Sequence, residues 1–121
     1  MDTEQDYIDK IWELYPRKST TPLSTIKLVD RAVRKYPNSP ELWVLRGCLI
    51  QLADENCPHS LEDAINSFKK AVEVDPRFDD AWKEIGHFYD AIEPNRKLSL
   101  EAFKKAKDLR LAKKYNYAIF I

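Results

Sequence analysis

The sequence predicts an all-α fold assembled from repeated helix pairs, and three observations predict it. Apolar residues recur at spacings of three and four through six separate segments. Only two glycines occur in 121 residues, Gly47 and Gly86, while prolines punctuate the gaps between the apolar-periodic segments. Two stretches of the chain also spell matching words at an interval typical of stacked helical units.

The first helix is expected from about Thr3 to Tyr15, with Tyr7, Ile8, Ile11, Trp12, Leu14 and Tyr15 apolar. The second is expected from Pro22 to Tyr36, with Leu23, Ile26, Val29, Ala32 and Val33 on one stripe and Thr21 as its cap. The third, Pro40 to about Ala53, carries Leu42, Trp43, Leu45, Leu49, Ile50 and Leu52. Ser39 can cap it, and Pro40 sits in the first turn, where no amide donor is missed. The fourth, Leu61 to Val74, follows Ser60 and opens on Glu62 and Asp63, where the helix dipole is positive. Pro37 and Pro76 stop the second and fourth helices, because proline cannot continue the hydrogen-bond ladder. The fifth helix is expected from Asp80 to about Ile92 and the sixth from about Lys97 to Lys113.

The internal repeat is the strongest signal. Trp43 and Gly47 are four apart, and so are Trp82 and Gly86. Each helix is followed by a matching word, Phe68-Lys69-Lys70-Ala71 in one case and Phe103-Lys104-Lys105-Ala106 in the other. The tryptophans stand 39 residues apart and the phenylalanines 35. A period in this range marks units that together bury what none buries alone.

These residues resemble the tetratricopeptide repeat, a helix pair with the pattern W-x2-L-G-x2-Y, then A-x3-F, then P. Trp82, Ile85, Gly86 and Tyr89 fit its first helix; Ala64, Phe68, Ala71 and Pro76 fit the second. Trp43, Gly47 and Ile50 fit the preceding first helix, and Ala32 and Pro37 the end of an earlier unit. The resemblance covers residues 38–111 firmly and 5–37 loosely. It implies a single domain: a right-handed superhelical stack of antiparallel helix pairs (units 3–37, 38–76 and 77–113) with a short C-terminal cap or tail (114–121). Glycines and alanines would then admit close helix approach, with Trp43, Trp82, Phe68 and Phe103 filling the volume between pairs. Two alternatives are an unrelated helical bundle and the half-a-tetratricopeptide repeat, which Asp30–Pro37 followed by Leu42-Trp43 also resembles. The sequence departs from the pattern in five extra residues around Asp54–Pro58, one near Glu93-Pro94, Arg46 at a usually apolar position, Ser99 in place of alanine, and a degenerate first unit.

In this family the first helix of each pair lines the concave side. The resemblance therefore implies a partner-binding strip of Glu41, Val44, Cys48, Gln51 and Leu52 in the second unit and Asp80, Lys83, His87, Asp90 and Ala91 in the third. The strip mixes apolar groups with both signs of charge, as a groove for a peptide or helix requires. The two-carboxylate clamp of certain co-chaperones is not expected, because Cys48 and His87 replace residues it needs. The last residues, including Tyr115, Tyr117 and Phe120, are very apolar. They are expected to cap the helical stack, to form a patch for self-association as a homodimer or for partner capture, or to form a strand-like tail.

Composition bounds the function. Twenty basic and twenty acidic residues cancel, so the footprint of a general nucleic-acid binder is missing. No apolar run reaches the 18 to 20 residues, roughly, that span a bilayer, and the acidic start does not read as a signal peptide. Two cysteines, Cys48 and Cys57, make no disulfide framework, and a reducing cytoplasm is the expected compartment. Neither a phosphate loop nor a nucleophile–base pattern occurs, so no catalysis and no cofactor are expected. Cys57-Pro58-His59 is too sparse for a metal site. The expected function is protein binding; a small inhibitor or immunity-type protein that occludes a toxin or enzyme is the alternative.

Overall fold

The computed structural model describes residues 3–115. They form six α-helices: α1 (Glu4–Leu14), α2 (Leu23–Lys35), α3 (Pro40–Gln51), α4 (Leu61–Val74), α5 (Asp79–His87), continued by a π-helical turn (Phe88–Ile92), and α6 (Arg96–Tyr115). Among the described residues there is no β-strand, only one isolated bridge between Thr21 and Ala53. No helix among them is long and apolar enough to cross a membrane.

Side-chain chemistry starts most helices where the sequence places them. The Thr3 hydroxyl accepts from the Asp6 amide at 3.1 Å while the Thr3 amide donates to the Asp6 carboxylate at 3.2 Å. Ser60 and Asp63 make the same reciprocal pair at α4. Ser39 caps α3, with Pro40 in its first turn. The expected Thr21 cap is not made. Pro22 occupies the N-cap of α2, and the Thr21 hydroxyl donates instead to the Leu49 carbonyl at 2.8 Å. The Thr21 amide donates to the Leu52 carbonyl at 3.0 Å, so the α1–α2 loop satisfies orphan carbonyls at the end of α3. The fifth helix is also not a continuous α-helix. After His87 the chain widens into the π turn, in which the Glu93 amide reaches the Phe88 carbonyl. Asn95 then caps α6 by accepting from the Leu98 amide at 3.1 Å.

Helices adjacent in sequence pack on one another, most extensively α3 with α4 and α5 with α6; α3 also meets α5 and α1. One buried cluster joins α1, α2 and α3 through Ile11, Ile26, Val29, Leu42 and Leu49. The other joins Ile65 and Phe68 of α4 to Ile85, Phe88 and Ala102. The two pairs repeat their contacts. The Trp43 indole donates to the Pro37 carbonyl at 2.7 Å, and the Trp82 indole donates to the Pro76 carbonyl at 2.9 Å. A Cβ on Gly47 would lie 2.4 Å from the Phe68 ring, and one on Gly86 would lie 2.6 Å from the Phe103 ring. Phe68 thus fills two places, the seat left by Gly47 within its own pair and the cluster shared with α5.

The far ends of α5 and α6 are tied by charge. Asp79, in the first turn of α5, is buried and accepts from Lys113 and Arg110 in the last turns of α6. Burial pushes the Asp79 carboxyl up, but the Lys113 hydrogen bond and charge, the backbone amide and Arg110 outweigh it and hold it below its usual range.

Two predictions follow from this packing. Alanine at Gly47 gains helix propensity of about 1 kcal/mol but forces a methyl into the fully buried Phe68 ring. We expect Gly47→Ala to destabilise by about 2 kcal/mol net in urea unfolding. Gly86→Ala should cost less, about 1 kcal/mol, because the Phe103 ring is only partly buried whereas that of Phe68 is fully buried. For Asp79, a lowered folded pKa means the unfolded chain binds the proton first. Its stabilisation is therefore present above the ordinary carboxylate pKa and disappears as pH falls through the folded value. Unfolding free energies measured from pH 6 down to about pH 3 should fall less steeply for Asp79→Asn than for the native chain.

Candidate functional site

A groove of 180 Å³ lies where α1, α3 and α5 meet. From α3 it is lined by Glu41, Val44, Leu45 and Cys48, which share one face at spacings of three and four. Asp80, Lys83 and Glu84 of α5 form the facing wall. Trp12 and Tyr15, at the end of α1, form the third side, and Phe78 closes the α5 end.

The groove is aromatic on one side and acidic on the other. Trp12 is 50% exposed, and its ring lies 5.1 Å from that of Tyr15. The Trp12 indole N–H donates to Glu41 Oε1 at 3.3 Å, which turns the indole across the groove. Three carboxylates, those of Glu41, Asp80 and Glu84, face the single ammonium of Lys83. At the bottom, Tyr15 and Cys48 adjoin Glu84, whose charge acts on both. Burial pushes the Cys48 thiol up to about 12, and the Glu84 charge adds to it, against smaller opposing effects of the Tyr15 hydrogen bond and of Lys83. Burial, then the neighbouring thiol and Glu84, likewise raise the Tyr15 phenol. Both groups stay neutral at physiological pH, so the groove floor is a neutral hydrogen-bonding surface beneath charged walls.

Of the residues expected on the concave strip, the groove gathers Glu41, Val44, Cys48, Asp80 and Lys83. Gln51, Leu52, His87, Asp90 and Ala91 are not part of its lining. The exposed His87 packs edge-on against Phe103 at 5.0 Å, and Asp90 and Ala91 lie on the π turn, which rotates them away from the register of α5. Trp12, Tyr15, Leu45, Phe78 and Glu84 were not expected. The apolar stripe of α1 reads as core throughout, yet Trp12 and Leu14 face solvent. Tyr115 ends α6 and is 53% exposed; Tyr117 and Phe120 lie outside the described residues.

Arg46, the polar residue at an expected apolar position, points to the opposite side of α3. Its guanidinium donates to Asp30 at 2.9 Å and to the Ser67 hydroxyl at 2.7 Å. His59 Nε2 lies 2.7 Å from the other Asp30 oxygen, and its Nδ1 3.8 Å from Asp63. Cys57-Pro58-His59 therefore delivers an imidazole to an ion cluster. Among the described residues no group of three His, Cys, Asp or Glu is placed to hold a metal ion.

The thiol chemistry can be measured. At pH 8 a thiol raised from 9.0 to about 12 holds on the order of a thousandfold less thiolate, while its greater intrinsic nucleophilicity returns on the order of twentyfold. In a Cys57→Ser background, iodoacetamide should alkylate native Cys48 about fiftyfold more slowly than an unperturbed thiol. Denaturant should remove that difference.

No protein-family model, curated protein or solved structure matches this chain.

Proposed function

We propose that the chain is a protein-interaction module of the tetratricopeptide-repeat kind, whose α1–α3–α5 groove holds a partner segment bearing an arginine or lysine beside an aliphatic residue. The observation that carries this reading is the placement of the half-exposed Trp12 ring in one groove with three carboxylates, those of Glu41, Asp80 and Glu84. A guanidinium stacks on an indole face and pairs with a carboxylate at the same time, which few other side chains do. Val44 offers apolar contact next to that cation. Trp12 keeps half of its surface exposed while bonded to Glu41, so its ring remains available.

The matching surroundings of Trp43 and Trp82, and of Gly47 and Gly86, support reading the helix pairs as repeats of one unit. Successive units wound in one sense place their first helices on a common inner surface, and α1, α3 and α5 are those helices in this reading. Segment binding on that surface is the corresponding function, with specificity set by the side chains that the three helices contribute.

Selection from a displayed random-peptide library tests this. Binders should be enriched in Arg or Lys adjacent to Leu, Ile or Val. Trp12→Ala and Glu84→Lys should each weaken the selected peptides by about tenfold or more without lowering the unfolding midpoint. Selected peptides lacking a basic residue, or indifferent to both substitutions, would rule the groove out as the binding surface.

A further inference from the structure

We infer that the apolar pocket between α4, α5 and α6 is a second docking site, for a partner segment that presents a large apolar side chain flanked by carboxylates. The pocket measures 420 Å³, within the range of formed ligand sites. Val72, Trp82, Ile85, Tyr89, Leu98 and Ala102 make its surface. It lies on the side of α5 turned away from the groove, since Trp82, Ile85 and Tyr89 project opposite to Asp80 and Lys83 at 100° per residue. It therefore stands independently of the groove reading.

The other helix pair shows what such a place looks like when charged side chains wall it. Shifted by the repeat interval, Trp82 corresponds to Trp43, Ile85 to Arg46 and Lys69 to Asp30; Leu98 and Ala102 correspond to Asp63 and Ser67. At the earlier position Asp30, Arg46, Asp63 and Ser67 are knitted together, and His59 completes the cluster from the nine-residue segment 52–60. At the later position Arg46, Asp63 and Ser67 have all become apolar, and Asp30 has become a lysine. Only residues 93–95 separate the π turn from α6, so no loop side chain enters. The same architectural space is thus a pocket of 280 Å³ walled by Asp30, Arg34, Arg46 and His59 in one pair and a larger, apolar one in the next.

Charge at the rim identifies the occupant. The Lys105 ammonium lies 5.6 Å from the Trp82 ring centre, and the Lys69 ammonium lies 6.0 Å from that of Tyr89, one lysine from each bordering helix. Neither lysine makes an ion pair among the described residues. Lys105 lies over the indole rather than reaching Glu101, which sits one helical turn before it. Two cations poised over aromatic rings on either side of an apolar floor are complementary to a hydrophobic side chain with carboxylates near it in sequence. Glu101 is the one opposing charge, so the rim stays net positive.

The indole signals of the three tryptophans separate the two sites in a single experiment. Uniformly ¹⁵N-labelled protein is titrated with the capped peptide Glu-Leu-Phe-Glu and with counterparts carrying Gln or Lys in place of both Glu residues. The expected result is a saturable shift of the Trp82 indole with the Glu peptide. The Lys peptide should bind at least about tenfold more weakly, with the Gln peptide between them. Lys69→Glu combined with Lys105→Glu should weaken the Glu peptide by about tenfold, and so should Leu98→Glu at the exposed rim, each with an unchanged thermal midpoint. The assignment is overturned if no peptide gives a saturable Trp82 shift, if the three peptides bind alike, or if the lysine reversals leave the affinity unchanged. A shift confined to the Trp12 indole also overturns it, while leaving the groove reading intact.

Discussion

Two glycines seated under two phenylalanine rings set the spacing on which the rest of this molecule depends. Helix axes normally approach to between 8 and 10 Å, roughly, with side chains interleaved between them. Where Gly47 and Gly86 stand, the opposing ring occupies space that any Cβ would need. Phe68 therefore reaches through its own pair and still contributes to the cluster with Ile85 and Phe88. The position of α4 against α3 consequently bears on the position of α5, and α5 makes one wall of the groove. A methyl at Gly47 would act on the groove through that chain of contacts without touching any residue that lines it. The tryptophan indoles fix the second coordinate, because each is anchored to the carbonyl of the proline that ends the preceding helix. Anchored in this way, Trp82 offers only its ring face to the pocket beside it.

Much of this fold was legible because its determinants are local. A serine or threonine followed at the third position by an acid, a proline in the first turn, and apolar residues three and four apart act within a few residues, and the bounds of α4 follow from them. The misreadings arose where a local signal met a distant competitor. Thr21 next to Pro22 spells a cap, yet the Thr21 hydroxyl is taken by the end of α3, some thirty residues away, whose carbonyls would otherwise be unsatisfied. The π turn is a subtler case. The repeat spacing shows one surplus residue near Glu93-Pro94, but spacing alone does not say whether a loop or a helix absorbs it. The helix absorbs it by widening at Phe88–Ile92, and this moves Asp90 out of the groove's register.

Half of the groove was likewise visible in advance and half was not. Glu41, Val44, Cys48, Asp80 and Lys83 follow from helical periodicity once the repeat register is fixed. Trp12 and Tyr15 do not, because an aromatic on an apolar stripe reads the same whether it faces core or solvent. Their exposure depends on how far α2 covers α1, which is a property of packing rather than of pattern. Arg46 illustrates the converse. It looked like a defect in an apolar register, and its partners Asp30, His59 and Ser67 lie between 13 and 21 residues away in sequence, beyond any local rule.

The two helix pairs also differ in how they handle the cost of an interior polar group. A partly buried ion cluster is weak evidence of stabilisation, because desolvation consumes most of the Coulombic gain, and apolar replacement is often as stable. At α5 that replacement has occurred with Ile85, Leu98 and Ala102, but the space was not refilled: a pocket remains, with a lysine on each side of it. An apolar pocket open to water is a site of unrealised burial, at about 25 cal/mol for each Å² that a ligand would remove from solvent. The matching place in the earlier pair keeps a smaller pocket of 280 Å³ walled by Asp30, Arg46 and His59, so the two pairs differ in the chemistry of the lining as well as in its size. Two unpaired ammonium groups over aromatic rings further raise the cost of filling it with a basic segment and lower the cost of filling it with an acidic one.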